Sequence, residues 1–567
     1  MATYPLLIKQ LLHTPSANAP HQEIVYRELL RYDYRTLLER IGRLGSALNI
    51  APGQTVAVMD WDSHRYLECF FAIPMTGAVL QTVNVRLSPE QIAYTLNHAR
   101  ADVLLVHEDF LPLLARFRAQ LATVSRFVLL SDNKTPVCPI PFETDYETLL
   151  AGGDATHRFP DFDENTRATT FYTTGTTGLP KGVYFSHRQL VIHTLATAAG
   201  LGTASGQGRF GGADVYMPIT PMFHVHAWGF PYVATLLGVK QVYPGRYQPD
   251  ALLRLIRDEG VTFSHCVPTI LHLLLSSPLL NEVDLRGWKV VIGGSALPKG
   301  MAQAALARGI DIFAGYGLSE TCPILSLGLL AKDEEKDAEA ALEQRIKAGR
   351  AIPLVDLRVV DGSGHELPHD GQSAGEVVVR APWLTQGYLH DEAASAALWE
   401  GGYLHTGDIG TRDATGVLNI TDRLKDVIKC SGEWLSSLAL ESLISEHPAV
   451  SEVAVIGVPD EKWGERPRAL VVLKTGMEAS AEALCESVHR AAWMRVSCRA
   501  TPGCYRSPSW AACRAPAWAN RTKRRCGVGR SGGVGRSVAP TGRSDILSPC
   551  RNASGFRATA EMFRFAR

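Results

Sequence analysis

The 567-residue sequence has no excess of either charge: 57 Lys and Arg stand against 57 Asp and Glu, so the formal net charge is zero. No global field therefore draws the chain to nucleic acid, an anionic membrane or acidic substrates, and its partners have to be sought in local sites. It lacks any run of the roughly 18 apolar residues that a membrane-spanning helix needs. Its first residues, MATYPLLIKQLLHTPSANAP, hold a short apolar stretch broken by Lys9 and no basic region followed by a small-residue cleavage site. No secretory signal is expected, and the expected address is the cytoplasm, with at most peripheral membrane contact. Paired cysteines are missing as well. Cys69, Cys138, Cys266, Cys322 and Cys430 are scattered, and none belongs to a CxxC pair. They read as small buried hydrophobes in a reducing compartment rather than as disulfide or zinc ligands. No internal repeat or low-complexity block interrupts the chain before residue 490.

What is present is enough apolar residue, 46% of the chain, to build two or more folded units at this length. Between residues 50 and 300, β-branched runs such as TVAVMD (55–60), DVLLVHE (102–108), RFVLLSD (126–132) and KVVIGG (289–294) alternate with helix-like segments. That alternation predicts an α/β fold of mainly parallel sheets covered by helices on both faces. One helix start is explicit, because Ser88-Pro89-Glu90-Gln91 combines a capping hydroxyl, Pro at the first helical position and Gln three residues after the cap. From 350 to 422, PLVDLRVVD, GEVVVRAP and GVLNITD are separated by Gly and Asp turns, which predicts a small β-barrel or sheet. A new αβ pattern begins after Asp422-Arg423-Leu424-Lys425-Asp426. The expected organisation is a large N-terminal domain over 1–422, a hinge at 423–426, a partial C-terminal α+β domain over 427–494, and an aberrant, disordered tail over 495–567.

The clearest chemical signal is Tyr172-Thr173-Thr174-Gly175-Thr176-Thr177-Gly178-Leu179-Pro180-Lys181-Gly182. Its glycines let the backbone approach an anion, its threonine hydroxyls and amide groups can donate to phosphate oxygens, and Lys181 adds a positive charge. It is not a Walker A loop, since Pro180 precedes the lysine and Gly182 stands where that loop has Ser or Thr.

This segment resembles the phosphate loop of the adenylate-forming superfamily, which comprises acyl-CoA synthetases, luciferases and peptide-synthetase adenylation domains. Other segments follow in the order that family uses, and the resemblance spans about residues 20 to 490. Gly293-Gly294-Ser295-Ala296 resembles the family's adenine wall. Tyr316-Gly317-Leu318-Ser319-Glu320-Thr321 resembles the segment whose ring stacks on adenine, whose hydroxyl at Ser319 contacts the α-phosphate and whose Glu320 holds Mg²⁺. Asp408, in Tyr403-Leu404-His405-Thr406-Gly407-Asp408, matches the acceptor of the ribose hydroxyls; Arg423 would lie over the same nucleotide, and Lys425 matches the hinge position. His224 resembles the residue that gates entry of the acyl carboxylate, with His226 and Trp228 lining the acyl tunnel. Gly432 matches the glycine beside the thiol channel, where a missing side chain leaves room for a pantetheine arm. The run Gly432-Glu433-Trp434-Leu435-Ser436-Ser437 is most similar to bacterial medium- and long-chain fatty-acyl-CoA ligases.

The resemblance implies two half-reactions with ATP, Mg²⁺ and coenzyme A: a carboxylate attacks the α-phosphate of ATP, then the CoA thiol attacks the acyl-adenylate. It implies small-molecule partners and no nucleic acid, and it admits a homodimer. It also implies a small C-terminal domain that rotates between the two steps about Lys425.

One family feature is missing. The closing segment of the type Pro-Arg-Thr-x-x-Gly-Lys, whose lysine serves adenylation, is absent, and after Met494 the text is rich in Arg and Cys and loses its period. Cys513 to Asn520 (CRAPAWAN), back-translated with permitted codons and read two bases later, yields Pro-Arg-Thr-Ser-Val-Gly-Lys. A reading-frame shift between Met494 and Cys513 is therefore expected, with impaired adenylation. A natural basic tail that binds nucleic acid, a ligase for aryl or short thioether acids, and a noncatalytic remnant binding nucleotide or acyl-adenylate are the alternatives.

Overall fold

The structure is a computed structural model that describes residues 4–133, 140–173, 179–204, 208–332, 334–430, 433–445, 447–460, 464–473, 476–481, 483–484 and 547–549. Thr174 to Gly178 of the phosphate loop, Gly432, the frame-shift interval and most of the tail lie outside the described residues.

The chain divides into two compact units. The first comprises residues 1–373, 377–406 and 411–419 and contains two large sheets. In one of them, Thr144–Asp145, Arg126–Leu130, Ala101–His107, Thr55–Met59, Val79–Thr82, Arg167–Thr173 and Lys181–Ser186 lie in that order. Every pair is parallel except the last, an antiparallel hairpin that frames the phosphate loop. Thr55–Met59 is buried along its whole length, as expected of a strand covered on both faces. Helix Pro89–His98 begins as the residue pattern predicts: the Ser88 hydroxyl accepts from the Gln91 N–H and the Gln91 side chain accepts from the Ser88 N–H. The same reciprocal cap, Ser186 with Gln189, starts helix His187–Gly202 where the hairpin ends.

The second sheet has nine strands in the order Arg350–Ala351, Ile324–Leu327, Asp311–Gly317, Lys289–Ile292, Phe263–Cys266, Val215–Ile219, Lys240–Tyr243, Glu23–Tyr26 and Leu30–Asp33. Its middle is parallel and its edges are antiparallel. The β-rich region after residue 350 is a four-stranded sheet with Asp356–Val360, Gly375–Arg380, Leu404–Arg412 and Leu418–Arg423 in chain order.

The second unit comprises residues 374–376, 407–410 and 420–567. Its core gathers Leu443 and Ile444 from helix Ser437–Ser445 and Val450, Val455 and Ala469 from the long hairpin Val450–Asp460 and Gly464–Leu473, together with Ile428 of strand Ile428–Cys430 and Leu484. Within the tail, Leu547–Pro549 pairs in parallel with Gly464–Leu473. Among the described residues no helix is long and apolar enough to cross a membrane.

Candidate active site

Thr173 and Lys181 face each other in register across the antiparallel hairpin, so the phosphate loop is closed at its base by backbone pairing. Lys181 is exposed, and its Nζ lies 4.6 Å from the ring centroid of Tyr388. The Tyr388 hydroxyl in turn donates to Glu320 Oε1 at 2.7 Å. The two charged residues singled out from the sequence, one after the phosphate loop and one expected to hold a metal, thus meet on opposite parts of a tyrosine that sequence reasoning passed over. Burial, and then the Glu320 charge, push the Tyr388 phenol well above its ordinary value, so it remains a protonated donor. Only Gly387-Tyr388 in a turn-rich stretch could have drawn attention to it, and that is a weak local signal.

Gly293 to Ala296 follow strand Lys289–Ile292 as a shelf in which Gly293 is buried and the next three residues are exposed. A Cβ on Gly293 would stand 2.9 Å from the Trp228 ring and 3.1 Å from the Gly315 carbonyl oxygen. The expected adenine wall and the expected acyl-pocket tryptophan are therefore packed against each other. Tyr316, half-buried, is the last residue but one of strand Asp311–Gly317. At Gly317 a Cβ would lie 1.7 Å from the Pro323 carbonyl oxygen, so no side chain fits there. The turn carrying Ser319 and Glu320 is closed by the Leu318 N–H donating to Thr321 Oγ1 at 2.9 Å, and the Glu320 carbonyl accepts from the Thr385 N–H at 3.0 Å.

Around His224 the chain is fastened from two sides. The Met222 N–H donates to Asp62 Oδ1 at 2.8 Å, and the Thr82 hydroxyl donates to the Phe223 carbonyl at 2.9 Å. Asp62 is buried and its carboxyl is raised to about 8, chiefly by desolvation; the Tyr247 hydroxyl also donates to it. Neither Asp62 nor Thr82 had a local sequence signal. His224 itself is exposed. The next four residues, Val225, His226, Ala227 and Trp228, all have φ between 48° and 58°, forming a left-handed turn that Gly229 completes. Each non-glycine residue in that region costs on the order of 1–2 kcal/mol, so this segment stores strain beside the expected acyl entrance. His226 is fully buried, with Phe70, Phe171, Phe185 and Tyr232 rings at centroid distances of 5.8, 5.3, 6.3 and 6.2 Å. Among the described residues neither of its ring nitrogens has a hydrogen-bond partner, and desolvation lowers its pKa to about 3, so the imidazole is neutral.

In the second unit, Arg423 Nε lies 2.8 Å from Oδ1 of the buried Asp408. Gly407, at φ 66°, donates its N–H to Glu376 Oε1 at 3.2 Å, and its carbonyl accepts from the Leu424 N–H at 2.8 Å. Asp422 is buried and accepts from the Ser437 hydroxyl at 3.1 Å, anchoring the start of the next helix. Lys425 is exposed.

Within the first unit, Lys181 and Glu320 on either side of Tyr388 suit a magnesium nucleotide. Among the described residues no group of three or more His, Cys, Asp or Glu side chains could hold a metal ion unaided. Glu320 offers a single half-buried carboxylate with one oxygen engaged by Tyr388, which fits a hard cation that arrives with phosphate oxygens and keeps its waters.

The family described as AMP-binding enzyme matches residues 12–389, and the family described as AMP-binding enzyme C-terminal domain matches residues 439–500. A long-chain-fatty-acid–CoA ligase from Thermus thermophilus is 42% identical over 84% of this chain and 87% of its own length. A 3-methylmercaptopropionyl-CoA ligase from Ruegeria lacuscaerulensis is 38% identical over 86% of this chain and 91% of its own. Among solved structures, an anthranilate CoA ligase in complex with anthranoyl-AMP superposes with a TM-score of 0.73 over 86% of this chain and 90% of its own, at 23% identity, a likeness of fold.

Proposed function

We propose that a fatty acid is the substrate of this chain, which belongs to the AMP-binding enzyme family and is an AMP-forming acid–thiol ligase using ATP and coenzyme A. The observation that carries the choice of acid is the enclosure of His226 by Phe70, Phe171, Phe185 and Tyr232, with Trp228 set against Gly293. Apolar and aromatic surroundings favour a hydrocarbon tail over a charged or strongly polar one. The Thermus relative, a long-chain ligase by name, points the same way.

In this reading the acid enters past His224, and its carboxylate attacks the α-phosphate of ATP; pyrophosphate leaves, and the CoA thiol then attacks the mixed anhydride and releases AMP. Tyr316 stacks on adenine against the Gly293–Ala296 shelf, Ser319 contacts the α-phosphate, and Asp408 with Arg423 holds the ribose. Lys181 and the phosphate-loop amides offset charge developing on the phosphates. Glu320 would hold Mg²⁺, which supplies further charge neutralisation when bound. Lys425 is the hinge of the small domain, and Gly432 flanks the thiol path.

The C-terminal family match ends at residue 500, where the irregular stretch has already begun, and this supports a shifted frame that removes the adenylation lysine. Adenylation by this chain is then strongly weakened, while capture of a supplied acyl-adenylate by CoA persists. A second reading, a ligase for short thioether acids, is favoured by the Ruegeria relative.

The test is a panel of short, medium and long fatty acids, 3-methylmercaptopropionate and benzoate, assayed with ATP and CoA on this chain and on one with the frame restored. Preference of the restored chain for the thioether or aryl acid would overturn the fatty-acid reading. Pyrophosphate exchange equally fast in both chains would overturn the proposed impairment.

A further inference from the structure

We propose that Tyr388 is a positioning residue that keeps the Lys181 ammonium and the Glu320 carboxylate apart and presents each to the magnesium nucleotide. The inference rests on the nucleotide part of the function proposed above.

An ammonium and a carboxylate that both approach one side chain have a simple alternative: they can pair with each other. Such a pair would satisfy both charges and withdraw them from phosphate and metal. Instead, Lys181 lies over the ring of Tyr388 at 4.6 Å, where the negative face of the π-system attracts a cation. Glu320 Oε1 accepts a hydrogen bond from the Tyr388 phenol at 2.7 Å, and among the described residues Lys181 makes no salt bridge. Glu320 Oε2 accepts no hydrogen bond within the described residues and stays open to a cation.

Tyr388 can do this because its own position is over-determined. Its N–H donates to Ser395 Oγ at 2.8 Å, it forms an antiparallel bridge with Val183, and the Leu389 N–H donates to the Gly182 carbonyl at 2.8 Å. Three residues earlier, the Thr385 hydroxyl donates to the Tyr184 carbonyl at 2.9 Å, and the Thr385 N–H donates to the Glu320 carbonyl at 3.0 Å. Residues 385–389 therefore brace the strand that leaves the phosphate loop against the turn that carries Glu320. The packing around this brace leaves little slack: a Cβ on Gly182 would meet Leu389 Cβ at 3.1 Å and the Tyr172 ring at 3.2 Å, and one on Gly387 would meet Ser395 Oγ at 2.4 Å. The tyrosine is thus the contact through which a displacement of the loop base reaches the carboxylate.

The experiment measures ATP binding to the full chain by calorimetry across a Mg²⁺ titration, without acid or CoA, so no turnover enters the readout. Y388F keeps the ring beneath Lys181 and removes the hydrogen bond to Glu320. It is expected to raise the Mg²⁺ concentration for half-maximal ATP binding by about 10-fold while leaving binding in EDTA unchanged, the size expected for a hydrogen bond to a charged group. Y388L, which also removes the ring, is expected to weaken binding in EDTA as well. In an E320Q background, Y388F is expected to add no further Mg²⁺ effect, a coupling that a merely structural loss of packing would not produce.

A folded Y388F with an unchanged Mg²⁺ requirement overturns the proposal, as does an equal shift in the E320Q background. If Y388L does not fold, Y388F and the double variant decide. Parent chain that binds ATP alongside an unaffected Y388F sinks only the role of Tyr388, whereas a parent that binds no ATP sinks the nucleotide reading with it.

Discussion

Arg423 lies against Asp408, its Nε 2.8 Å from Oδ1 of a carboxylate whose side chain is only 4% exposed, while the guanidinium is itself half open to solvent. The buried carboxylate is thereby held in one orientation by a group that can still move, an arrangement suited to accepting hydroxyls from a ligand that enters beside the arginine. Asp408→Ala is expected to weaken MgATP binding by about 100-fold and Arg423→Ala by about 10-fold, the range for hydrogen bonds to charged groups. The double variant should be no worse than Asp408→Ala, since the arginine acts through the aspartate. Calorimetric MgATP titrations check this, and additive losses would separate the two residues.

Asp62 gives a pH signature. Its carboxyl is raised from 3.8 to about 8 in the folded chain, so the native state holds a proton that the unfolded state has lost between those values. A raised carboxyl contributes stability that is complete below pH 4 and lost as pH climbs towards 8, at about 1.4 kcal/mol per pH unit. The melting temperature of the parent relative to Asp62→Asn should therefore fall steadily from pH 5 to pH 8. A pH-independent difference would refute the assignment. Asp62→Leu, which also loses the acceptor of the Met222 N–H, should in addition disturb the His224 segment and raise KM for the acid in a chain with the frame restored.

The opposite sign applies to His226. Its pKa is depressed from 6.5 to about 3 by burial, so its native state refuses a proton that the unfolded chain accepts below pH 6.5. His226→Leu removes two partnerless buried nitrogens as well as this titration, and is expected to stabilise the fold by about 1 kcal/mol at neutral pH. The advantage should grow as pH is lowered from 7 to 5, and thermal melts at several pH values would show it. A loss of stability at neutral pH would mean that packing of the ring outweighs its polarity, and a difference that does not change with pH would refute the depressed pKa.

Gly317 and Gly202 form a contrasting pair. A Cβ at Gly317 would sit 1.7 Å from a backbone oxygen, whereas one at Gly202, the last residue of helix His187–Gly202, meets nothing within 4 Å. Gly317→Ala is expected to cost about 3 kcal/mol or more, or to yield insoluble protein. Gly202→Ala should be neutral or slightly stabilising through helix propensity. Comparing soluble yield and melting temperature of the two variants tests this directly.

What the sequence by itself determined are the features that depend on neighbours along the chain. The β-branched runs became strands at Thr55–Met59, Ala101–His107, Arg126–Leu130 and Lys289–Ile292, and the Ser88 cap formed with both of its expected hydrogen bonds. The phosphate loop falls between two strands whose ends, Thr173 and Lys181, are paired. Period, capping and turn chemistry act over a few residues and are written in those residues. Only the tertiary structure decided that Tyr388, 68 residues from Glu320, would stand between that carboxylate and Lys181, and that Asp62, 160 residues from Met222, would hold the segment leading to His224. Nor does Val-His-Ala-Trp contain the glycines that usually announce a left-handed turn; the turn at 225–228 lies among wholly buried rings, and so its backbone conformation answers to long-range packing rather than to local preference.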